Sequence, residues 1–150
     1  MPLIWNHPGR IRSGQVLSPM VSSYDFFPTI LDYLGIRAPR DPKRVGNSYA
    51  AFLQGKRPRR PEAVYFEYGY SRAVRTRTMK YIERCGEWPS ELYDLKVDPD
   101  EKQDRISDPA YAARLKELRA GLQSFFERAG APKLEDWRST TRQVLPEYSR

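Results

Sequence analysis

Four short runs rich in β-forming residues stand close together between residues 63 and 95, and they limit the folds open to this chain more than any other feature. The runs are AVYFEYG, SRAVRT, MKYIER and SELYDL, with turn-forming residues between them. Connections this short join antiparallel neighbours, because a parallel pair needs a long crossover. The region is therefore predicted to form a four-stranded antiparallel sheet.

A long helix is predicted directly after these runs. The SDP sequence at 107–109 supplies a cap and a first-turn proline, and Gly130 supplies a stop. Between them an apolar stripe recurs at helical spacing, at Tyr111, Leu115, Leu118, Leu122, Phe125 and Ala129. The predicted fold class is α+β, with the helix packed on one face of the sheet.

The residues before the sheet follow other patterns. PLIW at 2–5 is typical of a short buried strand, SSYDFFPTILDYLG predicts a helix that ends at Gly35, and SYAAFLQG predicts a second short helix. The chain is accordingly divided into a strand-and-helix piece at 1–55, a basic linker at 56–61, a sheet-and-helix subdomain at 62–130 and an irregular tail at 131–150.

The charge balance of the chain favours anionic partners. The net charge is +7 and the pI about 9.6, so nucleic acid, acidic lipid and sulfated glycan are natural partners. No apolar run is long enough for a signal peptide or a membrane helix. The sequence therefore predicts no membrane association and leaves the compartment open, with the cytoplasm as the default.

Residue types that support catalysis or bind metals are scarce. Cys85 is the only cysteine and His7 the only histidine, which excludes an internal disulfide and a zinc site of several His and Cys ligands. A serine or cysteine hydrolase needs a histidine near its nucleophile, but His7 lies in a His-Pro-Gly turn. We predict neither a catalytic residue nor a metal ligand in this chain.

An acid-rich stretch, SELYDLKVDPDEKQD at 90–104, holds six of the 19 acidic residues. A calcium-binding EF-hand loop starting at Asp94 needs an oxygen ligand at its third position and glycine at its sixth. Lys96 and Pro99 occupy those positions. The stretch is therefore interpreted as a strand and a turn whose acids face water.

Basic residues crowd the predicted hairpin. Arg72, Arg75, Arg77 and Lys80 follow Tyr68 closely in the chain. A guanidinium group can bind a tetrahedral oxyanion through two parallel hydrogen bonds, so the cluster is a candidate site for sulfate or phosphate groups. A solvated hairpin face without a ligand is the alternative.

Several segments, in order, resemble the C-terminal third of the type I sulfatases: MPLIWNHPGRI, VSSYDFFPTILDYLGI, GNSYAAFLQGK, AVYFEYG, RAVRTRTMKYI and ELYDLKVDPDEKQD. The series is most similar to a bacterial branch with heparan N-sulfatase and iduronate-sulfatase relatives. The resemblance implies an alkaline-phosphatase-like α/β core, followed by a small antiparallel sheet with a long terminal helix. It also implies hydrolysis of sulfate esters or sulfamates, with sugars as the expected substrates.

The same resemblance indicates which parts of a sulfatase are missing. These enzymes attack with a formylglycine made from a Cys/Ser-x-Pro-x-Arg motif, and neither CGEWP at Cys85 nor SDPAY at Ser107 matches it. Calcium, formylglycine and the catalytic lysine and histidines are expected in an N-terminal domain, the partner of this chain. The chain is then either a fragment or the product of a start assigned at an internal methionine, and alone it is predicted to be inactive.

Clustering makes Arg75 and Arg77 the first candidates for substrate contact, followed by Arg72 and Tyr68. A sulfated glycan is the expected ligand, and nucleic acid is not favoured. Two alternative functions stay open. One is part of a phosphonate or phosphodiester hydrolase of similar architecture, and the other is a non-catalytic basic module that binds nucleic acid or acidic glycan.

Overall fold

The computed structural model describes residues 3–85 and 88–136. They belong to two compact units, Met1–Glu62 and Ala63–Arg150, here named the N-terminal unit and the C-terminal unit. Among the described residues, no helix combines the length and the apolar character needed to cross a bilayer.

The C-terminal unit contains the predicted four-stranded antiparallel sheet. Its strands, in the spatial order β1-β2-β3-β4, are Val64–Tyr68 (β1), Ser71–Arg75 (β2), Met79–Arg84 (β3) and Glu91–Asp94 (β4). Each strand pairs with its neighbour in sequence, because the short connections leave no other strand within reach. The predicted meander is confirmed.

Alternation along the strands gives this sheet two different faces. On the first, named the helix-covered face, Tyr81 stands between its cross-strand partners Val74 and Leu92, and all three are at most 1 % exposed. Direct cross-strand partners point to the same side of a sheet, so these three form the centre of the core. The second, named the open face, carries Arg75 and Lys80.

The helix α3, Ala112–Arg128, covers the first face. Asp108 caps the turn before it, since Asp108 Oδ1 accepts a hydrogen bond from Ala110 N–H at 3.0 Å. Tyr65 of β1 stacks on Phe125 with ring centroids 4.2 Å apart, a contact that contributes about 1 kcal/mol beyond burial of area. The predicted stripe is confirmed by its buried members Leu115, Leu118, Leu122 and Phe125.

The acid-rich stretch holds the end of the sheet to the turns that follow it. Asp104 Oδ1 accepts hydrogen bonds from the backbone N–H groups of Leu92 at 2.9 Å and Ile106 at 3.0 Å. Asp98 is 8 % exposed and accepts a bond from Gln103 N–H at 2.7 Å. The stretch is thus a strand and a turn, as predicted, but the expectation that its acids face water is wrong for Asp98.

The N-terminal unit is built from two short helices joined by irregular chain. Helix α1 spans Phe26–Tyr33 and helix α2 spans Ala50–Leu53, where the sequence predicts helices. Gly35, with φ of 69°, follows α1 in the left-handed conformation that glycine favours at helix ends. The apolar core of this unit comprises Tyr49, Phe52 and Leu53, packed against Trp5, Ile11, Leu17, Val21 and Tyr33.

The strand predicted at 2–5 is wrong for residues 3–5, which adopt irregular structure. A strand needs a partner strand, and the described part of this unit contains none. The indole of Trp5 instead packs against the rings of α1 and donates a hydrogen bond to the Tyr49 hydroxyl at 3.2 Å. Its side chain therefore joins the core although the backbone forms no strand.

One buried carboxylate, Asp25, ties the loops of the N-terminal unit to α1. It is 4 % exposed and accepts hydrogen bonds from Ser22 N–H at 3.0 Å, Asn47 N–H at 2.6 Å and Arg60 Nη2 at 2.7 Å. Arg60 also donates to two backbone carbonyls just before α2, at 2.9 and 3.0 Å. The segment 56–61, predicted as a linker, is consequently fixed to this unit at Arg60.

Candidate functional site

The turn between β2 and β3 presents an arginine to solvent. Thr76 Oγ1 accepts hydrogen bonds from the backbone N–H groups of Thr78 at 3.3 Å and Met79 at 2.9 Å. Thr76 N–H donates to the Met79 carbonyl at 2.8 Å, which closes the turn. The exposed side chain of Arg77 lies at its tip.

Three hydrogen-bond donors stand in a row on the open face beside this turn. The strand register pairs Arg75 with Lys80 and Lys80 with Tyr93, so all three side chains share that face. This row is named the donor row. Lys80 Nζ is bound to the carboxylate of Glu101, whereas the exposed Arg75 forms no ion pair with any residue that the structure describes.

Tyr93 is a member of the donor row that the sequence analysis missed. Burial raises the pKa of Tyr93 to about 12, and the hydrogen bond with Glu91 and the negative charges of Glu91, Asp104 and Glu101 act in the same direction. The phenol is therefore protonated at neutral pH, and its O–H group donates to the Glu91 carboxylate. Strand alternation was the available signal, because it puts Tyr93 on the face opposite the buried Leu92.

Arg72, a predicted site residue, lies on the helix-covered face. It is 5 % exposed, and its guanidinium carbon sits 4.1 Å from the centroid of the Phe126 ring in α3. Its Nη2 donates to the Pro132 carbonyl at 2.9 Å, and its Nε lies 3.5 Å from the Glu67 carboxylate. The side chain thus holds the strands, the helix and the segment after the helix together.

Tyr68, the fourth predicted site residue, is 89 % exposed on the open face. The register places Tyr68 opposite Ser71 and Arg75 opposite Val64. Four residues of strand therefore separate Tyr68 from Arg75, a distance of about 13 Å. The structure brings Arg75 and Arg77 together at one turn, puts Tyr68 at the far end of the hairpin and buries Arg72 on the other side.

A second concave region of the C-terminal unit lies beside the helix-covered face. This cavity of about 630 Å³ is lined by Arg72, Tyr81, Arg119 and Phe126, among others. Arg119 Nε donates to the Tyr81 hydroxyl at 3.1 Å. The three arginines that line it, Arg72, Arg84 and Arg119, are already bonded within the unit, so we prefer the donor row as the candidate site.

The N-terminal unit exposes a large apolar surface. Ile4 is 85 % exposed and Val16 96 % exposed, and both line a groove of about 900 Å³. The floor of the groove includes Trp5 and Phe52 of the core. Apolar patches of this kind mark interaction surfaces, so this groove is named the apolar groove and is a candidate docking surface.

The residues that the structure describes do not fit the calcium and formylglycine expected of the type I sulfatases. Within 3–85 and 88–136, no group of three or more His, Cys, Asp and Glu residues is placed to hold a metal ion. The carboxylates of Asp98 and Asp104 in the acid-rich stretch accept backbone N–H bonds. The candidate site is therefore considered below as a surface for binding an anion.

Comparison with known proteins identifies the family. A family profile described as N-sulphoglucosamine sulphohydrolase, C-terminal, matches residues 1–128. An N-acetylglucosamine-6-O-sulfatase of Bacteroides thetaiotaomicron is 33% identical over 131 residues, which cover 79% of this chain and 23% of that protein. A Delta 4,5-hexuronate-2-O-sulfatase of the same species is 31% identical over 153 residues, which cover 93% of this chain and 30% of that protein.

Solved structures agree with this assignment. A protein crystallised with its substrate D-glucosamine-2-N,6-O-disulfate aligns with a TM-score of 0.64 and 26% identity, over 75% of this chain and 25% of that one. The phosphonate monoester hydrolase of Agrobacterium radiobacter aligns with a TM-score of 0.64 and 25% identity, over 75% and 26% of the two chains. This chain spans less than a third of the length of these relatives. It belongs to the sulfatase family defined by that C-terminal profile, within the alkaline phosphatase superfamily.

Proposed function

We propose that this chain forms the C-terminal part of an enzyme that hydrolyses sulfate esters or sulfamates on sugars. Membership of the sulfatase family supports the reaction class, and the names of two relatives support a sugar substrate. The nucleophile and the calcium ligands belong to a preceding catalytic domain in this proposal. The present chain contributes scaffold and part of the substrate-binding surface.

The observation that carries this proposal is the donor row together with the adjacent turn. The Arg75 and Arg77 side chains are both exposed at the turn between β2 and β3, and Arg75 lies beside Lys80 on the open face. Guanidinium groups with no ion-pair partner among the described residues suit the oxygens of a sulfate group. We propose Arg75 and Arg77 as substrate-contacting residues.

The substrate role is tested in the full-length enzyme, reconstituted with its catalytic domain. Arg75→Ala removes a charge-assisted hydrogen bond, so we expect kcat/KM for a sulfated sugar to fall by roughly ten- to a hundredfold. Arg114→Ala, at an exposed arginine of α3, is the matched control and should leave kcat/KM unchanged. Equal kcat/KM for the Arg75 variant and the wild type would reject the assignment.

The proposed parentage has a separate test in the gene. The DNA upstream of the codon for Met1 should encode, in frame, a Cys-x-Pro-x-Arg or Ser-x-Pro-x-Arg segment. That segment would supply the formylglycine that this chain lacks. An upstream sequence in another frame, with no such segment, would remove the basis for a sulfatase reaction.

A phosphonate hydrolase is the second candidate function. The structural likeness to a phosphonate monoester hydrolase supports it, because a tetrahedral phosphonate offers oxygens much like those of a sulfate to the same arginines. The reconstituted enzyme decides between them by its kcat/KM on an aryl sulfate and on an aryl phosphonate. A higher value for the phosphonate would replace the sulfatase proposal.

The apolar groove supports the proposed partner. We propose that the catalytic domain covers Ile4 and Val16, since full burial of an aliphatic side chain of this size contributes about 1.5–3 kcal/mol. In the free chain this surface remains in contact with water. A catalytic domain expressed on a separate plasmid should therefore co-purify with the chain.

A further inference from the structure

Two basic loops in the N-terminal unit are left unexplained by the donor row and the apolar groove. The first, residues 37–44, reads RAPRDPKR, and the second, residues 56–60, reads KRPRR. Together they contain eight arginines and lysines against one acid, Asp41. They are named the basic loops.

The positive charge of the chain is concentrated in this unit. Residues 1–62 contain ten Lys and Arg against four Asp and Glu, a net charge of +6. Residues 63–150 contain sixteen against fifteen, a net charge of +1. The basic character of the chain is therefore a local property of the N-terminal unit.

Most cations of the basic loops have no ion-pair partner. In the described part of the chain, Arg60 is the only basic residue of the N-terminal unit that forms a salt bridge, whereas six basic residues of the C-terminal unit do so. Arg57 and Arg59 are exposed, as are Arg37 and Arg40. Unpaired like charges raise the free energy of the folded chain, and a bound polyanion lowers it.

Side-chain contacts bring the ends of the two loops together at the start of α1. Arg60, which ends the second loop, donates to the carbonyl of Asn47, three residues beyond the first loop. Arg44, near the end of the first loop, lies with its guanidinium carbon 5.6 Å from the centroid of the Phe27 ring. Prolines restrict the backbones of both loops, and the first loop also contains a turn in which Arg44 N–H donates to the Asp41 carbonyl at 3.2 Å.

We propose that the basic loops form a surface that binds a sulfated polysaccharide chain. This inference rests on the proposed function for its choice of polyanion, and it extends that function from a sulfated sugar unit to a polymer. Several exposed arginines on two proline-restricted loops suit a chain with repeated sulfate groups, since each guanidinium fork can engage one group. The loops contain no aromatic residue on which bases could stack and no helix that could enter a DNA groove, which disfavours nucleic acid.

The test measures binding of the 150-residue chain to a heparin dodecasaccharide by titration calorimetry over a range of NaCl concentrations. The variant Arg57→Gln/Arg59→Gln removes two loop cations. The control Lys96→Gln/Lys116→Gln removes two exposed cations of the C-terminal unit, so the net charge is the same. We expect the loop variant to bind about tenfold more weakly and to show a shallower salt dependence, and the control to bind within twofold of the wild type.

Three results would overturn the proposal. They are equal losses in the loop and control variants, undiminished binding of a fully desulfated dodecasaccharide, and tighter binding of a DNA duplex at equal salt. The second result would show that sulfate groups are not recognised, and the third would identify nucleic acid as the partner. A small aryl sulfate is not a polymer, so its hydrolysis by the reconstituted enzyme tests the proposed function independently of polysaccharide binding.

Discussion

Replacing Arg72 with methionine should destabilise the C-terminal unit substantially, because this arginine is bonded on three sides. Its contact with the Phe126 ring at 4.1 Å is worth about 1–2 kcal/mol at a buried position. Its hydrogen bond to the Pro132 carbonyl, at 2.9 Å, adds about 1.5 kcal/mol. The pair with Glu67 adds less than about 1 kcal/mol, because the Glu67 side chain is 30% exposed.

These contributions predict that the free energy of unfolding falls by about 2–4 kcal/mol, since methionine preserves the packing of the aliphatic stem. Hydrogen exchange of the α3 amides in the 150-residue chain measures this loss within the C-terminal unit. The matched control is Arg75→Met, on the same strand but exposed on the open face, which should change stability by less than about 0.5 kcal/mol. Comparable losses in the two variants would refute the assignment of Arg72 to a structural role.

Three further predictions concern pH, a buried ion pair and docking. The raised pKa of Tyr93 means that the folded chain holds its proton more tightly than the unfolded chain, so stability should fall between about pH 10 and 12. In urea unfolding at pH 9 and pH 11, the Tyr93→Phe variant should lose less stability between the two pH values than the wild type. An equal loss in both proteins would contradict the raised pKa of Tyr93. Asp25→Asn leaves Arg60 buried without its counter-charge, so the free energy of unfolding measured in urea should fall by about 3–5 kcal/mol. The double variant with Arg60→Met should lose less stability than this. Additive losses would show that the two side chains do not interact. Ile4→Glu should change the free energy of unfolding of the free chain by less than about 0.5 kcal/mol, because Ile4 is exposed. The same variant should no longer co-purify with the catalytic domain. Undiminished co-purification would exclude the apolar groove as the docking surface.

The sheet and α3 could be predicted because their signals are local. Period-two runs with short connections leave one arrangement of neighbouring strands, and a cap, a stripe and a terminal glycine define α3. The predicted strand at 2–5 fails for the opposite reason. An apolar tetrapeptide is equally consistent with a strand and with irregular chain whose side chains reach a core, and only a partner strand decides between them.

The candidate site was harder to predict because neighbours in sequence are not neighbours on a sheet. Arg72 and Arg75 are three residues apart, an odd number, so strand alternation puts them on opposite faces. Tyr93 was missed because the strand register, and not the sequence, sets it beside Lys80. The buried contact of Arg72 with Phe126 depends on where α3 lies, which no local pattern specifies.

The ion pair between Lys80 and Glu101 also tunes the potential at the donor row. Glu101 has a positive φ of 58°, a conformation that costs a non-glycine residue about 1 kcal/mol or more. The fold tolerates this local strain and gains a neutralised lysine in the middle of the row. An anion that approached the row would therefore be attracted more strongly to its Arg75 end than to Lys80 in its middle.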